Sequence, residues 1–290
     1  MSFTDFEFNG QRLSDFGCMV CEFDSVGLET ESIGSVMTIN SLSRTTINKF
    51  DFIDSKYEEP FTKTIRIGKH ACEKYNLGNQ EFDEYLIAHI ARWLLKKRYC
   101  KFKMIYSDGK CSDMYHRGTF VDPKVLRIGE RVVGMEFTFK ANAPFGYYDD
   151  LDFYMNFSNM SDTFTIYDIS DEVGYIYPYL LEIEILEDGD LVLKNSLSDE
   201  DIEIKNCVAG EIILLNGENK IISSSEYNNR HTTLYNDFNY NLLKVINDCG
   251  ETDNYYTVDN EDDIRDNIYS STLPCKIRLS YAPICKMGVL

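Results

Sequence analysis

The stretch MEFTFKANAPFGYYDD, residues 135–150, is typical of a β-strand that ends abruptly at a proline. Apolar side chains occupy every second position from Met135 to Ala143, and polar side chains occupy most positions between them. This period of two predicts a strand with one buried face. Pro144 cannot continue the hydrogen-bonding ladder. The aromatic and acidic residues after it therefore belong to a ligand-binding loop, a domain boundary or the rim of a sheet.

Composition identifies a globular protein. The chain has 290 residues, of which 43% are hydrophobic and 13% aromatic, which is too apolar for disorder. At roughly 100–200 residues per domain, the length favours two domains. No apolar run approaches the roughly 20 residues of a membrane helix, and the first residues lack a signal-peptide pattern. We therefore expect neither secretion by a signal peptide nor membrane insertion.

The nine cysteines are scattered and odd in number, which argues against a disulfide framework and favours reduced thiols in a protein made in a cytoplasm. Cys18 and Cys21 form a C-x-x-C pair, but no second pair supplies the other two ligands of a zinc site. Asp259, Glu261 and Asp263 alternate as in a calcium loop, but the required glycine is absent. We predict no metal and no cofactor, with a looser cation site in this acidic stretch as the alternative.

Negative charge is concentrated in the second half of the chain. The first 150 residues hold 20 of the 29 basic residues and 22 of the 48 acidic ones, so the rest holds 9 basic and 26 acidic residues. Nucleic-acid binding depends on lysine and arginine neutralising phosphates. The charge pattern therefore argues against nucleic-acid binding as the function.

One segment, residues 81–97, has the apolar stripe of a long helix, with Asn79 available as the N-cap. The residues after it, 101–120, predict a strand and hairpin. From residue 174 onward, short alternating strands recur, with hairpin turns predicted at Asp188-Gly189 and Asn216-Gly217. Many short strands at regular spacing predict a mainly β protein with sandwich or jelly-roll architecture.

The amino-acid composition changes between residues 144 and 178, which are rich in aromatic and acidic residues. We place the domain boundary there, with a first domain at 1–148, a connection at 149–173 and a second domain at 174–290. A polar stretch near 247–274 is long enough to be an acidic insertion between strands.

The order of elements in the first half resembles the N-terminal domain of phage distal tail proteins, the Dit family of siphovirus-type tails. The resemblance rests on FEFNGQRLSDFGCMV (residues 6–20), ARWLL (91–95), YSDGKCSDMYHRGTF (106–120) and GMEFTFKANAPFGYY (134–148), in that order. It covers roughly residues 3–148. The second half is similar to the family's outer domain in organisation but weaker in motif.

The resemblance implies an N-terminal β-sandwich with one helix and an extended hairpin, and a C-terminal galectin-like or carbohydrate-binding-like jelly roll. It also implies a non-enzymatic virion protein: a homo-hexameric ring that joins the tail tube to the tail-tip hub or baseplate, with DNA passing through it unbound. We expect the 101–120 hairpin and edge strands to form ring contacts. The candidate contact residues are Lys103, Tyr106, Asp108 and Tyr115.

Two other function classes remain open. Jelly rolls often bind sugars, so a glycan-binding module used in host recognition is the main alternative, with Tyr255, Tyr256 and Tyr269 as candidate contacts to a glycan or partner. A glycoside hydrolase would require two carboxylates converging across one cleft. Acidic residues are too abundant in this chain for such a pair to be identified from sequence.

Overall fold

The computed structural model describes residues 3–21, 37–44, 49–70, 82–106, 114–226, 233–247 and 266–286. Contacts divide the chain into two units: Met1–Tyr148 with Cys285–Leu290, and Asp149–Ile284. Strands dominate both units, so the chain is mainly β as predicted. Neither α-helix in the described ranges has the length and apolar composition needed to span a membrane.

The described residues of unit 1 form a main sheet, a separate two-stranded sheet and an α-helix. The main sheet has the strand order β2-β1-β7-β8-β9-β6-β3, and β10 pairs with β8. The elements of unit 1, in chain order, are β1 (Phe3–Phe8), β2 (Gln11–Arg12), a 3₁₀ turn (Leu13–Phe16), β3 (Cys18–Val20), β4 (Met37–Arg44), β5 (Lys49–Tyr57), β6 (Thr62–Lys69), α1 (Glu84–Leu94), β7 (Cys100–Tyr106), β8 (Met114–Ile128), β9 (Arg131–Ala141) and β10 (Gly146–Tyr148).

The core of unit 1 is aromatic and is covered by α1. Asp83 caps the helix by accepting a hydrogen bond from the Leu86 N–H at 2.7 Å. The N-cap therefore lies four positions after Asn79, the residue predicted for this role, which is outside the described residues. The Trp93 ring stacks on Phe6 with centroids 5.5 Å apart, and its Nε1–H donates to the Phe8 carbonyl at 3.0 Å. The tryptophan therefore fixes the helix against β1 by packing and by a directed bond.

The strand that opened the sequence analysis is β9, and its predicted buried face is confirmed: Met135, Phe137 and Phe139 have at most 2% of their surface exposed. The predicted strand pair at 101–120 is present as β7 and the first part of β8. Beyond it, β8 continues to Ile128 and forms with β9 a second, longer hairpin that the sequence did not predict.

Unit 2 is a sandwich of two antiparallel sheets. One has the order β11-β21-β14-β17-β18, the other β12-β20-β15-β16, and β13 pairs with β19. Its elements are β11 (Leu151–Phe157), β12 (Thr163–Tyr167), β13 (Gly174–Ile176), β14 (Leu180–Ile185), β15 (Gly189–Asn195), β16 (Ile202–Cys207), β17 (Ile212–Asn216), β18 (Ile221–Ser224), α2 (Leu234–Asp237), β19 (Val245–Asn247), β20 (Asp266–Ser271) and β21 (Cys275–Tyr281), with β22 (Ile284–Cys285) where the chain passes back to unit 1.

The two sheets share one core. Leu181 and Ile183 of the five-stranded sheet and Leu191 and Leu193 of the four-stranded sheet belong to the same buried apolar cluster. Side chains from the inner faces of two sheets that meet in one core define a β-sandwich. The β-sandwich fold is therefore observed in unit 2.

The structure corrects three details of the predicted organisation. Residues 149–173 are not only a connection, because β11 and β12 lie in them and belong to the two sheets. The predicted insertion at 247–274 includes β20, a central strand of the four-stranded sheet, while residues 248–265 lie outside the described residues. Asp188-Gly189 is not a hairpin turn, because β14 and β15 lie in different sheets. The hairpin at Asn216-Gly217 is confirmed as β17 and β18.

Candidate oligomerisation surface

The hairpin of β4 and β5 forms a sheet of its own: within the described residues these strands pair only with each other. Met37 pairs with Tyr57, Ile39 with Ser55, and the register then shifts. Ile53 has no register partner at this shift, which is a β-bulge.

One face of this hairpin is apolar and open to solvent. Residues directly opposite each other in an antiparallel pair point to the same face. Met37, Ile39 and Phe52, which is opposite Ser41, therefore share a face, and they are 49%, 58% and 58% exposed. The opposite face is mostly polar, with Asn40 donating a side-chain hydrogen bond to Asp54. We call Met37, Ile39 and Phe52 the hairpin apolar face.

An amphipathic two-stranded sheet is marginally stable alone in water. A cluster of exposed apolar side chains on a small element is also the usual mark of a protein–protein contact. Leu42 on the polar face and Ile53 in the bulge are exposed as well, at 54% and 61%. The hairpin therefore carries more apolar surface than its own fold requires.

The base of the hairpin is held by the segment that follows β9. The Tyr57 ring meets Phe145 edge-on with centroids 6.5 Å apart, and Phe145 meets Tyr147 in the same way at 6.0 Å. Phe61, just after β5, donates its backbone N–H to the Ala143 carbonyl at 3.0 Å and stacks on His116 at 4.4 Å. The aromatic residues after Pro144 are thus structural supports of unit 1.

Of the four predicted ring contacts, the three that lie in the described residues are half-buried or buried in the isolated chain. Lys103 and Tyr106 are on β7, which lies between β1 and β8 and is not an edge strand, and both are half-buried. The side chain of Tyr115 is fully buried, with the Lys101 ammonium 4.4 Å from its ring centroid. Asp108 lies outside the described residues.

Among the tyrosines proposed as glycan contacts, only Tyr269 is in the described part of the chain. Its side chain is fully buried, and its hydroxyl donates to the Lys244 carbonyl at 3.0 Å. Burial raises the pKa of this phenol far above its ordinary value. Tyr269 is therefore a core residue and offers no ring to a sugar, while Tyr255 and Tyr256 lie outside the described residues.

The environment of Cys18 and Cys21 determines whether their thiols can react or bind a metal ion. Burial raises the pKa of both Cys18 and Cys21 to about 11, so these thiols are protonated at neutral pH. Thiolates, not thiols, bind metals and attack disulfides. Over the described ranges, no group of three or more His, Cys, Asp or Glu residues is arranged to hold a metal ion. The loop with Asp259, Glu261 and Asp263 lies outside them.

Sequence reasoning missed the hairpin apolar face because its signal is ambiguous. An alternating stretch such as Met37–Leu42 predicts one apolar face, but it reads the same whether the chain's own core or another molecule covers that face. The alternation in β4 and the following β5 could have identified the hairpin. Only the tertiary structure shows that its apolar face has no cover within the described residues.

Comparisons with known proteins agree with this architecture. The chain matches a family model described as the phage tail protein N-terminal domain over residues 1–143, and one described as the phage tail C-terminal domain over residues 145–281. No curated protein matches the sequence.

Among solved structures, the fold is similar to the SPP1 Dit (gp 19.1) protein, described as a paradigm of the hub adsorption apparatus in phages infecting Gram-positive bacteria. The TM-score is 0.57 at 8% identity, over 97% of this chain and 99% of that one. A phage P2 baseplate chain is also similar, with TM-score 0.48 at 10% identity over 97% and 98% of the two chains. At these identities the likeness concerns the fold.

Proposed function

We propose that this chain, which belongs to a phage tail protein family, is a distal tail protein and forms a homo-oligomeric ring that joins the tail tube to the tail-tip hub or baseplate. The family membership makes it a phage tail structural protein. The ring, its six copies and its position between tube and hub are the proposal. It is made in the host cytoplasm and ends in the virion.

The hairpin apolar face carries this proposal. A ring closes through heterologous contacts, in which one surface of each copy meets a different surface of the next. A hairpin that pairs with no other described strand and carries exposed apolar side chains suits such a contact, because it can pack on a neighbour without disturbing the main sheet of its own unit. Each copy would give its hairpin to one neighbour and receive a hairpin from the other.

Charge supports the proposed position around the DNA path. The first 150 residues are nearly neutral, with 20 basic and 22 acidic residues. A channel wall that is nearly neutral neither holds a passing phosphate backbone by ion pairs nor strongly repels it. The strongly acidic residues lie mainly in the second half, which we assign to the outside of the ring.

A non-enzymatic role fits this family, and the proposal includes it. Two carboxylates of unit 2 are engaged in ion pairs within its sheets: Glu184 with Lys276 at 3.2 Å, and Asp201, just before β16, with Lys194 at 2.8 Å. Cross-strand ion pairs of this kind contribute to sheet pairing.

The test is assembly of the full chain with and without its tail-tube partner. Mass photometry and negative-stain microscopy should show closed rings, either alone or capping tubes. Unit 2 expressed without the first 148 residues is the comparison, and it should remain monomeric. Monomers that neither self-assemble nor cap tubes at any concentration would contradict the proposal.

A further inference from the structure

The outer face of the five-stranded sheet in unit 2 contains a cavity of about 380 Å³. This volume lies within the roughly 300–1,000 Å³ of small-molecule sites. The cavity lies over the neighbouring strands β11, β21 and β14. Its polar and aromatic lining residues are Tyr154, Asn156, Glu182, Glu184, Lys276 and Arg278.

The sheet register arranges these six side chains in two rows. In the first row Tyr154 is opposite Arg278, which is opposite Glu182. In the second row Asn156 is opposite Lys276, which is opposite Glu184. Because paired residues point to the same face, all six project outward together. The lining is therefore fixed by strand pairing and does not depend on a loop.

Tyr154 provides the apolar surface of the cavity. Its side chain is 67% exposed, and the Arg278 guanidinium lies 5.6 Å from the ring centroid. A cation at this distance holds the ring in place through its π face. A flat, positioned and exposed ring is suited to pack against the C–H face of a sugar ring.

The polar groups retain hydrogen-bonding capacity. Within the described residues, the Glu182 side chain makes no hydrogen bond or ion pair and lines the cavity. The Arg278 Nε–H is buried, so only the terminal nitrogens of this guanidinium can serve a ligand. Arg278 donates to Asp152 only at 3.4 Å, and Lys276 to Glu184 at 3.2 Å. Carboxylates accept two hydrogen bonds side by side, and the cations donate several. Together they match neighbouring hydroxyl groups, each of which both donates and accepts.

Charge decides between neutral and anionic ligands. The cations Lys276 and Arg278 are each paired with a carboxylate, and Glu182 adds a further negative charge. The surrounding half of the chain has 26 acidic residues of the total 48 and only 9 of 29 basic ones, as the first 150 residues hold the others. Phosphate-bearing or carboxylated glycans are therefore repelled.

We infer that this cavity is a binding site for a neutral saccharide, with Tyr154 as the stacking platform and Glu182 as the principal hydroxyl acceptor. The inference goes beyond the ring function and does not depend on it, because the site lies entirely in unit 2. It also assigns to glycan binding a different set of residues from Tyr255, Tyr256 and Tyr269.

The site is built for binding and not for hydrolysis. Glu182 and Glu184 occupy neighbouring outward positions of one strand, β14, so they lie side by side on the same border of the cavity. A glycosidase places its two carboxylates on either side of the scissile bond. No cleavage of a bound sugar is expected.

The experiment is binding of the full-length chain to an array of neutral and anionic oligosaccharides, followed by ligand-observed NMR with free sugars up to about 10 mM, the weak end of measurable affinity. Tyr154→Ala should abolish binding. Glu182→Gln should weaken it about tenfold, because a bond to a charged acceptor is lost. Tyr235→Ala, which removes a 49% exposed tyrosine of unit 2 outside the cavity, is the matched control and should bind like the wild type.

Three results would overturn the inference: no binding of any neutral saccharide, binding of anionic glycans alone, or binding that survives Tyr154→Ala. Ring assembly by the same preparations is scored separately. A chain that assembles but binds no sugar refutes only the saccharide site, and one that binds sugar but never assembles refutes only the ring.

Discussion

Replacing Ile39 and Phe52 together with threonine should weaken assembly of the ring. Each side chain is 58% exposed in the isolated chain. Burying a whole isoleucine or phenylalanine side chain is worth about 1.5–3 kcal/mol, so covering the exposed part is worth about 1 kcal/mol or slightly more. The double variant should therefore lose about 2 kcal/mol per interface, or roughly a thirtyfold decrease in the association constant.

Mass photometry of the full chain over a concentration series measures this change, with tail-tube protein present where assembly requires it. Threonine is favoured in β-strands, as isoleucine and phenylalanine are, so the fold should be retained and the thermal unfolding curve of unit 1 should change little. Leu42→Thr is the control, because Leu42 is 54% exposed but points to the other face of the hairpin. Unchanged assembly of the double variant, or an equal loss with Leu42→Thr, would refute the role of the hairpin apolar face.

Three further changes probe the stability of unit 1. Trp93→Ala should lower the free energy of unfolding by about 3–5 kcal/mol in urea titrations, because it leaves a cavity and an unpaired Phe8 carbonyl. If Trp93→Ala cost less than Trp93→Phe, the role of Trp93 in fixing the helix against β1 would be contradicted. Gly118→Ala should lower the free energy of unfolding by about 1–3 kcal/mol, because the new Cβ would lie 2.4 Å from the Lys140 carbonyl oxygen. A variant as stable as the wild type would show that the strands can shift apart at no cost. Hydrogen bonds from two cations lower the pKa of Glu136, so its stabilisation is complete above the ordinary glutamate pKa of about 4.3 and is lost as pH falls through the lowered value. Glu136→Gln should therefore flatten the acid side of the stability profile by up to about 1 kcal/mol, and an identical profile would exclude this contribution.

Local pattern was sufficient to predict which faces of many strands are buried. Met135, Phe137 and Phe139 in unit 1, and Leu181 and Ile183 in unit 2, are buried as their alternation indicated. The reason is that a strand's period of two follows from backbone geometry and requires no knowledge of its partner. The helix was predicted for the same reason, and within the described part of the segment it runs over Glu84–Leu94.

Pairing could not be predicted from the same pattern. Asp188-Gly189 has the composition of a hairpin turn, yet it connects β14 in one sheet to β15 in the other. Turn residues only allow the chain to reverse, and the choice of sheet depends on β20 and β21, more than 70 residues away in sequence. The predicted connection at 149–173 was too long for the same reason, because β11 finds its partner in β21.

The candidate surfaces were the least predictable features. The hairpin apolar face and the cavity around Tyr154 both consist of ordinary alternating strand residues, and neither contains a motif. These residues are candidates because they stay exposed to solvent after folding, and that exposure depends on how the strands assemble into sheets. The sequence indicated that a sugar site was possible and gave Tyr269 as one candidate contact. An aromatic residue in an alternating strand is equally typical of a buried core position, and Tyr269 is in fact buried.

The central position of β20 and β21 in their sheets has a consequence for synthesis of the chain. β11, the first strand of unit 2, pairs with β21, and β20 joins β12 to β15. The four-stranded sheet cannot be completed before Ser271 has left the ribosome, and the five-stranded sheet cannot be completed before Tyr281 has. Until then the earlier strands have exposed apolar faces and edges. Such long-range pairing is slow and favours aggregation until it is complete. A ribosome that stalls or terminates before β20 therefore releases a chain in which neither sheet of unit 2 can be completed.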